Sequence, residues 1–268
     1  MAFRGGSSGL SPLPEAGSTF TKRSAVHGRD FYAVEAAGLR WLAAAGPGSA
    51  RVAAIVAVTK DQIVLEQLEP ARPERTAAEE FGHALAVTHA AGAAAYGQPP
   101  DGWDGDGYIG QQPMMLRPTP TWGRFYGEQR MLPYAHLARD LGHLSAAATA
   151  RVDRVAERLV AGEFDDDSSP ARIHGDLWSG NVMFTASGVV LIDPAAHGGH
   201  GLTDLAMLHL FGAPHLATIT SAYAEAADLS DGWADLIELH QLHPLLVHAV
   251  SHGPSYGAEA GRIAARYA

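Results

Sequence analysis

The feature of this chain that most constrains its fold is a short polar string followed by an apolar segment that ends in aspartate. The string reads His-Gly-Asp-Leu-Trp-Ser-Gly-Asn over residues 174–181, and the apolar segment Val-Leu-Ile leads into Asp193 and Pro194. Glycine, serine and asparagine favour a loop, whereas the flanking apolar runs favour short strands. The fold must therefore form a loop and a hairpin that bring Asp176, Asn181 and Asp193 to one place.

The composition of this loop matches the requirements of phosphoryl transfer from ATP. That reaction needs an acceptor hydroxyl held in line with the phosphate, a group that takes its proton, and cations on the phosphate oxygens. Asp176 can take the proton, and Asn181 and Asp193 can hold Mg²⁺, which prefers oxygen ligands and keeps several waters. A surface turn followed by a strand would explain any one of these residues, but the joint pattern is far more specific. The string therefore predicts a kinase that uses ATP and Mg²⁺.

The hydrophobic pattern divides the chain into a β-rich first quarter and a mostly helical remainder. It predicts strands at residues 19–25, 51–58, 62–68, 173–174, 182–184 and 189–192. It predicts helices at residues 30–45, 74–91 and 122–161 and from 202 onward, and an irregular loop at 97–121. The pattern thus predicts an α+β fold with two lobes, residues 1–68 and residues 69–268, joined near Leu68.

One carboxylate in the first quarter lies on an apolar helix face. Glu35 is four residues from both Phe31 and Leu39, so it points along the apolar stripe of its helix. A carboxylate is costly to bury unless a cation pairs with it. Lys22, on the strand before the helix, is the natural partner, and such a pair aims a lysine at the α- and β-phosphates in kinases. The alternative is an ordinary edge-strand lysine and a glutamate at the polar margin of its helix.

The scarcity of lysine strengthens this interpretation of Lys22. The chain has only two lysines, Lys22 and Lys60, among 19 Lys and Arg residues. Where arginine is so strongly favoured, a retained ammonium indicates a role that the planar guanidinium does not fulfil, such as binding phosphate as a point charge. Lys22 is therefore predicted to bind the nucleotide phosphates, with Glu35 holding it in place.

Two further segments of the first quarter are candidates for contacts with the nucleotide. The first is a Gly/Ser run, where the backbone can approach the phosphates and offer its N–H groups, although such runs are also often disordered tails. Its members are Gly5, Gly6, Ser7 and Ser8. The second segment lies at the junction of the lobes, where Glu66 and Leu68 are predicted to border the adenine.

The string over residues 174–181 resembles the catalytic loop of aminoglycoside phosphotransferases, choline kinases and their relatives. A more specific similarity to fructosamine kinases rests on Leu-Trp-Ser-Gly-Asn at 177–181, Ile-Asp-Pro-Ala at 192–195, Asp-Leu-Ala-Met at 204–207 and Leu-Phe-Gly at 210–212. Weaker matches extend the resemblance over most of the chain. It implies a bilobal protein-kinase-like fold, with a small antiparallel sheet and one main helix in the first lobe. It also implies that Asp176 is the catalytic base and that Asn181 and Asp193 hold Mg²⁺.

Several residues near the loop and on the late helices have roles that the sequence leaves open. Trp178 can pack on a sugar ring or fill the core of the large lobe. His174 is predicted to support the catalytic loop, and Asp204 either accepts hydrogen bonds from His174 or the backbone or simply caps a helix. The late helices, which line the acceptor side in the resembled fold, supply the candidate acceptor contacts His240, His243, His248 and Tyr256.

The chain departs from the fructosamine kinase pattern just after Asp193. Fructosamine kinases usually have Gly-His-Arg-Glu here, whereas this chain reads Gly-His-Gly-Leu over residues 199–202, so Leu202 replaces the usual acid. Residues 196–198 are Ala-His-Gly in place of the usual aromatic pair. Because an acceptor would sit close to this segment, we expect the changes to affect the choice of acceptor more than the chemistry.

Composition argues against several other classes of protein. The formal charge is −10 with no cluster of basic residues, which disfavours nucleic acid or an anionic membrane as the partner. No segment approaches the roughly 20 apolar residues that span a bilayer, and the first residues lack the apolar run of a signal peptide. The chain has no cysteine, which excludes a disulfide-linked dimer and fits a cytoplasmic enzyme.

These observations lead us to expect a kinase that phosphorylates a sugar hydroxyl of a ketoamine. The acceptor would be a ribulosamine or fructosamine, as a small molecule or on a protein lysine, and the enzyme would act in deglycation. A second hypothesis keeps the chemistry but changes the acceptor to an aminoglycoside, choline or another small alcohol. A third is a catalytically inactive nucleotide-binding protein, which should have lost one of the four residues Lys22, Asp176, Asn181 and Asp193; all are present.

Overall fold

The structure, a computed structural model, describes residues 18–23 and 30–268; the predicted run of Gly5, Gly6, Ser7 and Ser8 lies outside the described residues. The strands are β1 Thr19–Arg23, β2 Arg51–Val52, β3 Ile55–Val58, β4 Gln62–Glu66, β5 Gly107–Ile109, β6 Gln112–Met114, β7 Ala171–Ile173, β8 Val182–Thr185, β9 Gly188–Leu191 and β10 His197–Gly199. The helices are α1 Phe31–Ala43, α2 Arg75–Ala90, α3 Trp122–Phe125, α4 Leu132–Asp140, α5 Ala146–Val160, α6 Gly201–Phe211, α7 Leu216–Ala226, α8 Ile237–His252 and α9 Pro254–Tyr267. This order of elements confirms the predicted α+β fold.

The first sheet has the strand order β1-β4-β3, is antiparallel and contacts α1. On β4 the alternate residues Ile63 and Leu65 are buried, as expected for a strand with one face on a core. Lys22 of β1 lies directly opposite Ile63. Residues directly opposite in an antiparallel pair share a face of the sheet. The register therefore turns Lys22 toward α1 and Glu35.

The segment predicted as a single strand over residues 51–58 forms two strands, because it changes sheets. β2 pairs in parallel with β9, and Ala53 N–H extends this pairing to Leu191 O at 2.9 Å. After Ala54 the chain pairs with β4 as β3. Val52 and Ala53 are buried where the segment crosses. The crossover joins the first sheet to the β8–β9 hairpin, which carries the second aspartate of the motif.

Two hydrophobic cores stabilise the described part of the chain. The first combines α1 and the first sheet with α2, the β8–β9 hairpin, α6 and α7, so it crosses residue 68. The second lies among α3, α4, α5, α8 and α9, where Val152 and Leu242 are fully buried. No helix in residues 18–23 and 30–268 is long and apolar enough to cross a bilayer. Since the first core serves both sides of residue 68, the division into residues 1–68 and 69–268 stays a prediction.

Part of the stretch at 97–121, predicted to be an irregular loop, is the antiparallel hairpin β5–β6. Side chains from α4 and from the π-helix Tyr126–Met131 hold this segment by alternate carbonyl groups, much as a partner strand would. The three bonds, each 2.7 Å long, run from Tyr134 Oη to Pro113 O, from Arg130 Nη1 to Met115 O and from Gln129 Nε2 to Arg117 O. The prediction was wrong here because the stabilising partners are side chains that follow later in the sequence.

Strand β10 was also not predicted, and its glycines explain both its place and why it was missed. It pairs antiparallel with β7, immediately before the catalytic loop. A Cβ on Gly198 would overlap Ala95 O, and a Cβ on Gly199 would overlap the side chain of Ile173. Glycine is disfavoured in strands, but here only glycine allows β10 to pack this closely against the segments that contain Ala95 and Ile173.

Candidate active site

A cleft of about 880 Å³ brings the predicted catalytic residues together with side chains from distant parts of the chain. We distinguish two parts of its lining. The charged part consists of Lys22, Glu35, Asp176, Asn181 and Asp193. The aromatic part consists of Tyr108, Gln111, Gln112, Trp178, Phe211, His248, Ser251, His252 and Tyr256.

Asn181 fastens the catalytic loop to the hairpin that follows it. Its Nδ2 donates to Asp176 O at 2.8 Å, to Asp176 Oδ2 at 3.3 Å and to Asp193 O at 3.5 Å. Its backbone oxygen accepts the N–H of Ile192 at 3.1 Å. The three polar residues singled out in the sequence are therefore direct neighbours.

The surroundings of Asp176 suit it to proton transfer. Burial raises its pKa to about 7, against the effect of the hydrogen bond from Asn181. The negative charges of Asp193 and Asp204 add to the rise. A carboxyl group with a pKa near neutrality can accept a proton and release it again at physiological pH.

Asp193 and Lys22 connect the catalytic hairpin with the first sheet. Asp193 has a left-handed backbone conformation, with φ of 54°, which few residues other than glycine adopt and which aspartate tolerates. Its Oδ1 accepts from Lys22 Nζ at 2.6 Å. The same ammonium donates to Glu35 Oε1 at 2.7 Å. The ion pair predicted between Lys22 and Glu35 is therefore present, and Lys22 also reaches the hairpin.

The Lys22–Glu35 pair lies in a poorly solvated place. Burial lowers the pKa of Lys22, but the charges of Glu35 and Asp193 outweigh this effect and the net shift is upward. Burial raises the pKa of Glu35, and Lys22 acts against that rise. The side chain of Lys22 is 21% exposed and that of Glu35 only 7%. Lys22 is thus the member that can contact a ligand in the cleft, while Glu35 holds it from behind.

The donor atoms left over in the charged part fit a magnesium ion. Asn181 Oδ1 and Asp193 Oδ2 accept no hydrogen bond from the described residues. Both are hard oxygen donors, and Mg²⁺ commonly binds to one or two such groups together with substrate phosphates and water. No cluster of three or more His, Cys, Asp or Glu side chains that could hold a metal occurs in residues 18–23 and 30–268. A cation here would take its remaining ligands from phosphate and water.

Trp178 borders the cleft, so the alternative that it fills the core is wrong. Its side chain is 42% exposed, and a Cβ on Gly180 would overlap its indole ring. Phe211, at the end of α6, meets this ring edge to face, with centroids 6.4 Å apart. Gly180 therefore leaves room for a flat aromatic surface at the cleft.

Side chains of α8 and α9 continue the aromatic part. His248 stacks on His252 with ring centroids 5.0 Å apart, and it lies 5.1 Å from Tyr256 and 4.7 Å from Phe211. His248 Nδ1 bonds to Pro244 O at 2.8 Å. Because a carbonyl oxygen only accepts, Nδ1 carries the proton and Nε2 of the neutral ring is an acceptor. The structure thus brings His248 and Tyr256, both predicted acceptor contacts, to the cleft.

His240 and His243, the other two predicted acceptor contacts, do not reach the cleft. Both are buried, with His240 Nδ1 bonded to Thr203 Oγ1 at 3.0 Å and His243 Nδ1 bonded to Arg130 O at 3.1 Å. An α-helix turns about 100° per residue, so His243 lies about 140° around α8 from His248. The cleft lining takes its α8 residues from the last two turns, residues 247–252, and includes neither His240 nor His243. The structure therefore places these two histidines in the core and not at the cleft.

The β5–β6 hairpin closes the aromatic part from the opposite side. Gln112 Nε2 donates to Ser251 Oγ of α8 at 3.2 Å. Tyr108 packs against Phe31 of α1, with ring centroids 5.2 Å apart. The sequence interpretation missed these residues because it treated the segment as an irregular loop. The polar tip between two apolar residues, Ile109 and Met114, was the available signal for a hairpin.

His174 and Asp204 contact the catalytic loop from its buried side. His174 Nε2 donates to Ile192 O at 2.9 Å, which joins the loop to the hairpin. Asp204 accepts the backbone N–H of His174 at 2.7 Å and that of Gly175 at 2.9 Å. Asp204 lies inside α6 and not at its N-cap, so the capping alternative is wrong. The hydrogen-bonding alternative is the one realised.

Of the residues that depart from the fructosamine kinase pattern, Ala196 lines the cleft, whereas His197 and Leu202 pack beside it. Leu202 is buried in the first core, and His197 is buried too. Burial lowers the pKa of His197 to about 3, so its ring is neutral. His200 caps α6 by accepting the N–H of Leu202 at Nδ1, 3.1 Å away. Leu202 and His197 therefore do not face the cleft, and an effect of this segment on the choice of acceptor stays a prediction.

Glu66 and Leu68, predicted to border adenine, are not part of the cleft lining in the described residues. The N–H of Glu66 donates to Ala54 O at 2.9 Å, and its carboxylate bonds to Arg51 Nη2 at 2.6 Å. Leu68 packs against the first core. Contact of Glu66 or Leu68 with a nucleotide stays a prediction.

Comparison with known proteins supports the resemblance to fructosamine kinases that the sequence motifs indicated. The model of the fructosamine kinase family matches residues 12–267. A protein of Lactiplantibacillus plantarum named "Probable ketoamine kinase" is 30% identical over 238 residues, covering 88% of this chain and 82% of the relative. A protein of Thermus thermophilus with the same kind of name is 30% identical over 225 residues, covering 84% of this chain and 78% of the relative.

Solved structures agree with the fold. A candidate fructosamine-3-kinase from Thermobifida fusca YX-ER1 superposes with a TM-score of 0.84 at 42% identity, covering 92% of this chain and 85% of that one. A macrolide 2'-phosphotransferase from Brachybacterium faecium superposes with a TM-score of 0.54 at 14% identity, covering 93% and 85% of the two chains, a likeness of fold alone. With a phosphotransferase fold, the predicted catalytic loop in a cleft and a match over nearly its whole length, the chain belongs to the fructosamine kinase family.

Proposed function

We propose that this protein transfers the γ-phosphoryl group of ATP to a sugar hydroxyl of a ketoamine, a ribulosamine or fructosamine. The observation that carries the proposal is the convergence of Asp176, Asn181, Asp193 and Lys22 in one cleft. Membership of the fructosamine kinase family supports the reaction class. The acceptor is the finer part of the proposal and is supported by the names of the relatives and by the aromatic part of the cleft.

Asp176 is the proposed catalytic base. It accepts the proton of the acceptor hydroxyl as the hydroxyl oxygen attacks the γ-phosphorus. The bond between the γ-phosphorus and the oxygen that bridges to the β-phosphate breaks, and ADP leaves with that oxygen. The proton on Asp176 then passes to solvent, which a pKa near neutrality allows.

Lys22 is the proposed phosphate ligand from the first sheet. It contacts the α- and β-phosphates while Glu35 holds its ammonium in place. Lys22 also donates to Asp193, and a bound phosphate would compete with Asp193 for the same ammonium. Asn181 and Asp193 are the proposed ligands of Mg²⁺, which when bound neutralises charge on the phosphate oxygens.

The remaining nucleotide contacts are proposed from position in the sequence. Gly5, Gly6, Ser7 and Ser8 would cover the phosphates, and Glu66 and Leu68 would border the adenine. In this arrangement residues 1–68 form the nucleotide-binding lobe, and residues 69–268 form the lobe that carries the catalytic loop and the acceptor.

The aromatic part of the cleft is the proposed acceptor site. Aromatic rings with a few polar groups are typical of pockets that bind small ligands, and flat rings pack against the CH faces of a sugar. Trp178 and Tyr256 supply such surfaces. His248 Nε2 can accept a hydrogen bond from a sugar hydroxyl, because Nδ1 holds the proton.

The same part of the cleft argues against an aminoglycoside as the acceptor. Aminoglycosides are polycations, and binding them calls for complementary negative charge at the site. In the described lining the acidic side chains are Glu35, Asp176 and Asp193, all in the charged part. A ketoamine carries one amine and does not need further carboxylates, which favours it over the polycationic alternative.

The proposal is tested by following ADP release with Mg-ATP and a panel of acceptors. The panel should contain a ribulosamine, a fructosamine, choline and an aminoglycoside. We expect turnover with a ketoamine and little with the other two. Turnover of the aminoglycoside in preference to both ketoamines would contradict the proposed acceptor but not the reaction.

The catalytic base is tested with Asp176→Asn, which keeps the size of the side chain and removes its basicity. We expect kcat to fall by roughly 10²–10⁴-fold, while ATP still raises the melting temperature. Asp231→Asn is the matched control, since Asp231 is exposed and outside the cleft lining. Undiminished turnover by Asp176→Asn would exclude Asp176 as the base. Stabilisation by ATP without turnover of any acceptor would favour an inactive nucleotide-binding protein.

A further inference from the structure

A buried chain of hydrogen bonds continues beyond Asp204, away from the cleft. The two oxygens of Asp204 hold the N–H groups of His174 and Gly175, the residues just before Asp176. Asp204 Oδ2 also bonds to His89 Nε2 on α2, at 3.0 Å. Asp204 is fully buried and His89 is 5% exposed. The catalytic loop is therefore fastened to α2 through one carboxylate.

The chain ends at Tyr223 of α7. His89 Nδ1 lies 2.7 Å from Tyr223 Oη, and the two rings meet edge to face with centroids 5.3 Å apart. Tyr223 is buried. Neither the proposed mechanism nor the cleft lining includes His89 or Tyr223.

The chemistry of Asp204 sets the direction of its hydrogen bond with His89. Burial raises the pKa of Asp204, but the hydrogen bond from His89 and other contacts outweigh it, and the net shift is downward. Asp204 is therefore ionised and can only accept, so His89 Nε2 carries the proton. Nδ1 of His89 has the Tyr223 hydroxyl as its partner, which can donate to Nδ1 or accept from it. Tyr223 thus satisfies the second ring nitrogen of His89 while Nε2 serves Asp204.

Gly201, in the first turn of α6, leaves the space in which this arrangement fits. A Cβ at position 201 would lie 2.5 Å from Tyr223 Oη and 2.9 Å from His89 Nδ1. Both distances are too short for a carbon atom against a polar atom. Any side chain at this position would push apart the two atoms of the Tyr223–His89 hydrogen bond.

The packing of α2 on α7 does not by itself call for these polar groups. The two helices contact each other along their length, and a Cβ on Gly82 would overlap Ile219 O and the side chain of Ala222. Phe81 and Leu85 add apolar burial on α2. A buried polar network is costly unless every member is satisfied, and in this one the described partners satisfy each member. Outside α2 and α7, this network leads through Asp204 to the backbone of the catalytic loop.

We propose that His89 and Tyr223 are positioning residues that hold the backbone of the catalytic loop, through Asp204, in the geometry that Asp176 needs. The inference rests on the proposed function, in which Asp176 takes the proton of the acceptor hydroxyl. A shift of about 1 Å in a reacting group can lower a rate by roughly 100-fold. The Tyr223 hydroxyl, Gly201 and His89 therefore act on turnover without touching the substrate.

The first test separates kcat from KM in single variants. Tyr223→Phe removes only the hydroxyl and should lower kcat by about tenfold, with KM for ATP and acceptor unchanged. His89→Leu should lower kcat further than Tyr223→Phe does. His89→Gln, whose amide can still donate to Asp204, should keep a higher kcat than His89→Leu. Tyr96→Phe is the matched control, because it removes a buried hydroxyl that bonds to Ser168 O at 2.6 Å, outside this network. Equal kcat for wild type and all three variants would overturn the proposal.

The second test is a double-mutant cycle with Gly201→Ala. In the wild type the added methyl group displaces the Tyr223 hydroxyl and should lower kcat. In Tyr223→Phe the hydroxyl is already absent, so Gly201→Ala should cost clearly less, and the two effects should not add. Additive losses of kcat, within a factor of two, would mean that Gly201 and Tyr223 act independently and would contradict the proposal.

A third measurement does not depend on turnover. Amide hydrogen exchange at His174 and Gly175 should be faster in Tyr223→Phe than in the wild type, with exchange in α8 unchanged. Unchanged exchange at both amides would contradict the positioning role, as would an equal acceleration throughout the chain. Wild-type protein that turns over no acceptor would instead defeat the proposed function, and the exchange result would still stand on its own.

Discussion

The charged and aromatic parts of the cleft are built in different ways. The charged part takes three of its five side chains from residues 176–193 and adds a single ion pair between β1 and α1. The aromatic part is assembled from the β5–β6 hairpin, the catalytic loop, the end of α6, α8 and α9. The comparison teaches that the proposed catalytic groups are encoded mostly within one short segment, whereas the proposed acceptor site depends on how distant elements pack.

The two parts also differ in how their groups are satisfied. In the charged part Lys22 bonds to Asp193, and Asn181 bonds to Asp176 and Asp193, so these side chains are linked by ion pairs and hydrogen bonds. In the aromatic part the contacts are mainly between rings, and these surfaces can receive a ligand without breaking an ion pair. Changes in the charged part should therefore affect phosphoryl transfer and ATP, and changes in the aromatic part should affect the acceptor.

Removal of divalent cations should have the largest effect and should separate the two parts. Excess EDTA should abolish ADP release, because the phosphate charge is then not neutralised, and added Mg²⁺ should restore it. Acceptor binding without nucleotide, measured by calorimetry, should persist, since the aromatic part carries no metal ligand. Full turnover in EDTA would contradict the role assigned to Asn181 and Asp193.

Lys22→Met should have the next largest effect. Loss of the ammonium that we propose to bind the phosphates should lower kcat/KM for ATP by on the order of 100-fold, with KM for the acceptor unchanged. Glu35→Gln should cost roughly tenfold or less, because the amide oxygen of the new side chain can still accept a hydrogen bond from the Lys22 ammonium. Steady-state kinetics with each substrate varied in turn tests this. An equal loss in both variants would mean that Glu35 does more than hold the lysine.

Trp178→Ala should act on the acceptor alone. Removal of the exposed indole should raise KM for the ketoamine about tenfold, the loss expected for an aromatic contact and its buried area. KM for ATP should not change. Leu141→Ala, which removes an apolar side chain that is 50% exposed and outside the cleft lining, is the control. A rise in KM for ATP alone would place Trp178 with the charged part instead.

His252→Glu should make the aromatic part of the cleft favour cationic acceptors, because it places a carboxylate among the aromatic rings. A new exposed ion pair contributes up to about 1 kcal/mol, so KM for a cationic acceptor should fall by about fivefold. The gain should disappear at high salt, because exposed pairs are screened. His252→Gln is the control of similar size without charge. A gain in both variants would show that charge is not the cause.

Gln112→Ala should have the smallest effect. It removes one hydrogen bond, to Ser251, that closes the hairpin over the cleft. Since one exposed, neutral bond contributes about 0.5 kcal/mol, the lower end of the usual range, KM for the acceptor should rise by about twofold, without a change in KM for ATP. Ser251→Ala should have the same effect, and the double variant should lose nothing further. Additive losses would indicate that the two side chains act separately.

How far the fold could be predicted depends on the distance between partners in the sequence. The bounds of α1, α2 and the β8–β9 hairpin follow from periodicity and stop signals within each segment. The break between β2 and β3 does not, because it is set by pairing with β9 more than 100 residues later. The same holds for the β5–β6 hairpin, whose carbonyl groups are held by Arg130 and Tyr134.

The candidate site divides in the same way. The proximity of Asp176, Asn181 and Asp193 was predictable because only one loop and one short hairpin separate them in the sequence. His243 was assigned to the acceptor because the sequence does not tell which turns of α8 border a cleft. In the structure His243 is buried beside Arg130, and the lining residues of α8 come from its last two turns.

The sequence by itself predicted that Asp176, Asn181 and Asp193 lie close together and that Lys22 pairs with Glu35, because a loop and a short hairpin join the first three and a buried carboxylate needs a cation. Only the tertiary structure decided the aromatic part and the chain from Tyr223 through His89 to Asp204. Their members come from different helices, and each contact depends on how those helices pack, with Gly201 leaving the required space. Such packing is the sum of many weak contacts across the whole chain, and no short window of sequence contains it.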